Sequence, residues 1–344
     1  MNDLLENLGW SLIENGFHPE KNISIEGLMA MGNGRCSQLA NFEERFTGPT
    51  VQGNYLNCIT NDDISFISKC NDETQEGSCG YLNTADWRGI DVRIGTEILD
   101  LNNVKILDFK RILNLQSGIL YRCFTVELPS GKQLKVDTHR FISIADPEIG
   151  AIQYTVTPLN FSDKLTLIPF IGFETWDNSE KNLEKLWDEV AIDVMPGEGY
   201  FTAEVCKALF QVCTGMKINI LRNGVPSEYS ADVENRHKYI ANIISLMVQE
   251  GESVTIEKFG INVLSQNYPK GQLMEIAKSH LNHSYQKGFD KLEKEHVEAY
   301  IKRWNAADQT ENTDLAKQMK LRFDQFRKFQ KFPFNHSKFI DNEI

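Results

Sequence analysis

The residues that could do chemistry gather near the start of the chain, where Glu43 and Glu44 stand side by side after Gly32-Asn33-Gly34-Arg35 and Phe42. Paired carboxylates can serve as general acid and base, accept hydrogen bonds from sugar hydroxyls, or grip an arginine. Adjacent residues of a strand point to opposite faces, so joint catalysis by this pair needs irregular backbone, and a structural or sugar-edge role is the expected one. Two glycines flanking Asn33 suit a tight backbone excursion. The run is too short for a nucleotide fingerprint and opens no βαβ unit, so no nucleotide cofactor is expected. Trp87 and Trp176 could stack on a sugar ring, but a tryptophan in a sandwich is more often core, the reading favoured for Trp87. His280 and His283 have the i, i+3 spacing of a helical metal chelate. No cysteine or carboxylate joins them at supporting spacing, so no metal is expected.

These residues need a scaffold. From about Gly53 to Leu264 the chain reads as short alternating segments broken by turns, the pattern of antiparallel sheet. Leu120, Phe124, Val126 and Leu128 share a period-two face, interrupted by Arg122; Pro129-Ser130-Gly131 turns the chain, and Leu134 and Val136 resume the alternation. Ile218 and Ile220 lead into Asn223-Gly224, a dipeptide that tolerates the positive φ of a tight hairpin. Further strands are expected at 90–98, 152–157, 164–168 and 254–264. So many strands without long helices between them predict a mainly β protein built on a large antiparallel sandwich.

After Pro269-Lys270-Gly271 the period becomes helical, first through Leu273, Ile276, Ala277, His280 and Leu281, then through Phe289, Leu292, His296, Tyr300 and Trp304. The expected division is a β-domain over 1–270 and a helical segment over 271–344. A last helix from about Thr313 to Pro333 carries Phe323, Phe326 and Phe329 among basic residues. That aromatic surface exceeds one docking stripe and is a candidate site for another copy or a longer homologue.

The 344 residues suffice for about two domains. With 41% hydrophobic and 24% charged residues the composition is that of a folded protein. A net charge of −12 opposes nucleic acid and acidic membrane surfaces as partners. The acidic start and the lack of a run of ~20 apolar residues point to a cytoplasmic protein without a membrane span. Seven cysteines, at 36, 58, 70, 79, 123, 206 and 213, include no CxxC pair and are read as reduced thiols.

The run Glu26-Gly27-Leu28-Met29-Ala30-Met31-Gly32-Asn33-Gly34-Arg35, continuing through Ala40-Asn41-Phe42-Glu43-Glu44 to Gln52-Gly53-Asn54-Tyr55, resembles the N-terminal domain of glycoside hydrolase family 65, and within it most resembles the maltose phosphorylases. Similar matches follow in order at Asp86-Trp87-Arg88-Gly89-Ile90, Phe109-Lys110-Arg111, Gly118-Ile119-Leu120-Tyr121-Arg122, Arg140-Phe141, Thr157-Pro158-Leu159-Asn160, Gly288-Phe289-Asp290-Lys291 and Leu321-Arg322-Phe323. The chain departs from the family's usual Gly and Arg at Ser37 and Leu39, and its segment 57–80 is unlike the family's loop.

The resemblance implies a galactose mutarotase-like super-sandwich followed by α-helical linkers. It also implies inverting cleavage of an α-glucoside, by phosphate or water, in a helical barrel that carries the general-acid Glu. The matching text stops near Gln330, so the catalytic Glu has no counterpart here. The roughly 74 residues after the sandwich are too few for a dozen helices of about 10–14 residues each. The expectation is therefore a front portion with no catalytic residue, inactive alone. An α-linked disaccharide is a possible ligand, and phosphate one only for a complete enzyme. The substrate-facing candidates are Asn33, Arg35, Phe42, Glu43, Glu44 and Trp87. The alternative is a carbohydrate-binding module or an interaction subunit.

Overall fold

The computed structural model describes residues 6–8, 10–51, 53–57, 81–173, 187–205 and 210–307. The expected last helix with Phe323, Phe326 and Phe329, the residue Trp176, and four of the seven cysteines lie outside the described residues.

Three antiparallel sheets account for the β region. The largest has eleven strands, in the order β1 (Glu6–Leu8), β2 (Ser11–Asn15), β9 (Lys105–Asn114), β10 (Ile119–Glu127), β11 (Gln133–Ile142), β12 (Ile149–Pro158), β20 (Val254–Leu264), β16 (Phe210–Arg222), β15 (Glu198–Val205) and β14 (Trp187–Met195), with β17 (Val225–Pro226) also on β16. A five-stranded sheet runs β18 (Ala231–Arg236), β19 (Tyr239–Val248), β13 (Asp163–Gly172), β7 (Ile90–Ile94), β8 (Glu97–Ile98). A small third sheet runs β3 (Met31–Gly32), β4 (Cys36–Gln38), β5 (Asn54–Asn57), β6 (Tyr81–Asn83). The mainly β, antiparallel expectation holds. The stretch 90–98 is two strands rather than one, because Gly95 takes φ 60° and turns the chain.

Alternation decides which side chains face inward. Along β10 and β11 the residues Phe124, Val126, Leu134 and Val136 enter a core shared with Val92, Ile94, Leu165 and Leu167 of the five-stranded sheet. The two predicted hairpins form: Gly131 takes φ 85°, and Asn223 and Gly224 take φ 48° and 78°. Directly opposed Gly150 and Gly260 open a slot in the inner face of the large sheet. The buried Trp87 indole fills it, so closely that a Cβ on Gly260 would fall 2.1 Å from a ring carbon. Trp87 is core, as its position in a sandwich suggested.

Helix α1 (Asn22–Leu28) and the third sheet cover one end of that inner face. Helices α2 (Leu273–Lys287) and α3 (Phe289–Ala307) lie on the outer face, separated by Gly288 at φ 79°. Their apolar stripes, with Leu273, Ala277, Leu281, Phe289 and Leu292, pack on Ile119, Phe141, Ala151, Phe259 and Ile261. The outward positions Asp290, Lys291, Lys294, Glu298 and Lys302 are exposed and charged.

Candidate functional site

Glu43 and Glu44 do not belong to a strand. They sit in the segment 39–46, held by the backbone bonds Leu39 N–H to Gly53 O (2.9 Å), Ala40 N–H to Glu26 O (3.0 Å) and Ile90 N–H to Glu43 O (2.8 Å). This irregular backbone, rather than the opposed faces expected of a strand, lets both carboxylates converge on one guanidinium. Arg122 donates to Glu43 and to both oxygens of Glu44, the second at 2.7 Å, and Arg140 donates to the other oxygen of Glu43. Arg140 also binds the carbonyls of Asn41 and Leu39, each at 2.9 Å. A third buried arginine, Arg111, donates to Glu14 (2.7 Å), Ala40 O (2.7 Å) and Asn22 (3.1 Å).

Phe42 lies between the guanidinium groups of Arg111 and Arg122, each 4.9 Å from its ring centroid. All of these side chains are buried against the inner face of the large sheet. A desolvated charge is tolerated only when paired and hydrogen-bonded, and Glu43, Glu44 and Glu14 against Arg122, Arg140 and Arg111 meet that condition.

The electrostatics oppose proton donation. Burial alone would raise Glu43, but Arg140 and Arg122 outweigh it and hold the carboxyl down at about 2. Arg140 is lowered to about 10, chiefly by burial. A general acid must keep its proton near neutral pH, which requires a raised pKa. Glu26 is raised by burial but is fully enclosed, holding Asn22 (2.8 Å) and Thr50 (2.8 Å). These carboxylates lock the segment 39–46 onto the sheet.

The other candidates divide in two. Asn33 is a tie: its Oδ1 accepts the N–H groups of Arg35 and Cys36, both at 2.9 Å, and its Nδ2 donates to Ser143 O (2.7 Å) and Pro147 O (3.0 Å). Arg35 is half-buried and pairs with Glu148 at 2.7 Å. Glu148 also receives Tyr268 Oη–H (3.3 Å) and lies 3.0 Å from His280 Nδ1. So Arg35 and Asn33 stand together at the tip of the β3–β4 hairpin, while Glu43, Glu44 and Phe42 belong to the buried network and Trp87 to the core. His280 thus stands beside this carboxylate. Among the described residues no three His, Cys, Asp or Glu are placed to hold a metal.

In the sequence Arg122 reads as an interruption, Arg111 and Arg140 appear only within the family-like runs, and Lys258 carries no assigned role. Each is a charged residue at an inward position of an alternating strand, and that misfit was the available signal. Lys258 is fully buried and donates to Gly89 O (2.7 Å) and Phe170 O (2.9 Å), with burial pushing its amine far below the ordinary lysine range. Cys36 and Cys213 are buried free thiols, each pushed up to about 12, mainly by burial.

Against known proteins, the family model for glycosyl hydrolase family 65, N-terminal domain, matches residues 12–303. An alpha,alpha-trehalose phosphorylase of Thermoanaerobacter brockii is 27% identical over 93% of this chain and 42% of its own length. A maltose phosphorylase of Bacillus subtilis is 24% identical over 94% of this chain and 42% of its own. A solved human-microbiome structure provisionally named a kojibiose phosphorylase superposes with a TM-score of 0.78 at 21% identity, over 95% of this chain and 42% of that one, and shows the shared fold. The chain thus spans about 42% of the length of the relatives it matches. With the family model covering most of its length, and the sandwich and docked helices in place, this chain belongs to glycosyl hydrolase family 65 and carries that family's N-terminal domain.

Proposed function

We propose that this chain is the sandwich-and-linker portion of an inverting phosphorylase or hydrolase of α-glucosides, of the maltose phosphorylase type, and that it turns over no substrate alone. Inversion requires a carboxylic acid at the leaving oxygen and a nucleophile across the ring, about 6.5–9.5 Å from it in hydrolases that use two carboxylates. The observation that carries the reading is the occupation of Glu43 and Glu44 by Arg122 and Arg140 in a buried network. It supports a domain that shapes and supports a site rather than one that breaks bonds. Within this reading 1–270 is the sandwich and 271–344 the connection to a barrel. The substrate is an α-linked disaccharide, with phosphate entering only alongside the barrel, and the setting is cytoplasmic. Arg35, half-buried at the hairpin tip and paired with Glu148, is the remaining substrate-facing candidate.

The test is direct. Purified chain incubated with phosphate and maltose, trehalose or kojibiose is expected to release neither glucose nor glucose 1-phosphate above a buffer control. Turnover that persists through purification to constant specific activity would overturn the reading.

A further inference from the structure

We propose that the outer face of the large sheet bears a shallow binding site for a neutral oligosaccharide, floored by Tyr121, His139, Gln153, Glu257 and Asn219. These five residues are directly opposed across β10, β11, β12, β20 and β16 and so form one unbroken row on one face. Four strand spacings make the row roughly 19 Å long. Helices α2 and α3 cover the next row, Ile119, Phe141, Ala151 and Phe259, and reach the near end of the floor, where Tyr121 packs against their cluster. The floor residues are half-buried, and the helices wall the row on one side with Phe289 and Glu293.

The row is ordered before any ligand arrives. Gln153 and Asn219 each donate an amide N–H to Glu257, both at 3.2 Å, one to each carboxylate oxygen. Each amide thereby keeps its oxygen and its second N–H for a ligand. His139 Nε2 lies 3.2 Å from Glu293, its ring edge-on to Phe289 at 4.9 Å and tilted against Tyr121 at 5.6 Å. Thr155 and Thr255 pair their hydroxyls at 2.8 Å in the adjoining row. Side chains fixed in this way lose less rotamer freedom on binding.

The chemistry selects the ligand class. Donors and acceptors alternate along the row, which suits a chain of hydroxyls that both give and accept, and Tyr121 offers a flat apolar surface with a hydroxyl at its edge. Glu257 accepts from two neutral amides and keeps its charge and further lone pairs to accept hydroxyl donors, while Glu293 is engaged by His139. The site lies on the opposite face from the buried Glu43–Arg122 network and goes beyond the proposed function. Only the choice of an α-glucan as probe rests on that reading.

Titration of the full chain with maltoheptaose, followed calorimetrically, should give saturable binding, weakened at least tenfold by Tyr121→Ala and by Gln153→Arg, which places a bulky cation on the floor. Lys302→Ala, on the exposed charged side of α3, should leave it unchanged. Matching thermal melts will show that the variants fold, and Gln153→Arg serves should Tyr121→Ala not. No saturable binding up to about 10 mM, beyond a weak millimolar site, would overturn the proposal, as would binding indifferent to both substitutions, or binding of oligolysine in place of the glycan. None of these results bears on the turnover assay, so the two readings fail separately.

Discussion

Arg122 sits where its strand's alternation calls for an apolar side chain, and the cost of that choice is met by two carboxylates delivered from a distant segment. Removing one partner of a buried ionic group strands the others, typically at about 3–5 kcal/mol, whereas replacing the whole group with apolar residues of similar size is often close to neutral. Arg122→Ala should therefore lower unfolding free energy by about 3–5 kcal/mol in urea titrations. Arg122→Met combined with Glu44→Met, which leaves the Glu43–Arg140 pair intact, should recover much of that loss. Equal losses in the single and double variants would mean that the arginine stabilises by packing on Phe42 rather than by charge.

Single residues also mark where the sequence was legible. Leu134, Val136 and the Asn223-Gly224 turn could be placed because period and turn chemistry are local properties. The convergence of Glu43, Glu44, Arg122 and Arg140 could not, because it joins positions up to 97 apart in the chain whose partnership depends on irregular backbone. The floor of the outer face was unreadable for the same reason: Tyr121, His139, Gln153, Glu257 and Asn219 become neighbours only through sheet order.

At the scale of elements, docking of α3 has a built-in dependence on acidity. His296 is buried between Phe141 (ring centroids 4.7 Å apart) and Tyr300 (4.9 Å), and its Nδ1 accepts the Ile144 N–H at 3.2 Å. Burial, with a smaller push from Arg303, lowers this imidazole from 6.5 to about 3. The unfolded chain therefore binds a proton between those values that the folded one refuses, so stability is full above about pH 6.5 and falls as pH drops toward 3. Between pH 7.5 and 5 this group alone should remove about 2 kcal/mol, and His296→Phe should flatten that part of the profile in thermal melts. An unchanged slope would show that the imidazole is protonated in the fold.

The pairing of β12 with β20 offers a second test at this scale. Gly260→Ala would drive a methyl into the buried Trp87 ring, and overpacking of this kind costs about 1–3 kcal/mol. A matching drop in melting temperature, with Trp87 fluorescence perturbed, is expected. A neutral result would show that the indole can shift aside.

For the whole molecule, the two faces of the large sheet have different tasks. Among the described residues the inner face is covered by the five-stranded sheet, the small third sheet and the arginine network, and Glu43 and Glu44 are buried there. The outer face is half covered by helices whose own exposed sides are charged.

Helix α3 is stitched down near its C-terminal end at two independent points. Trp304 Nε1–H reaches Leu115 O at 3.0 Å beside the turn between β9 and β10, and Tyr300 Oη–H reaches Gly32 O at 3.4 Å in the hairpin beside Arg35. A rod pinned twice cannot pivot about either pin. The last described turn of α3 therefore takes its heading from the sandwich and keeps a constant angle to the hairpin tip.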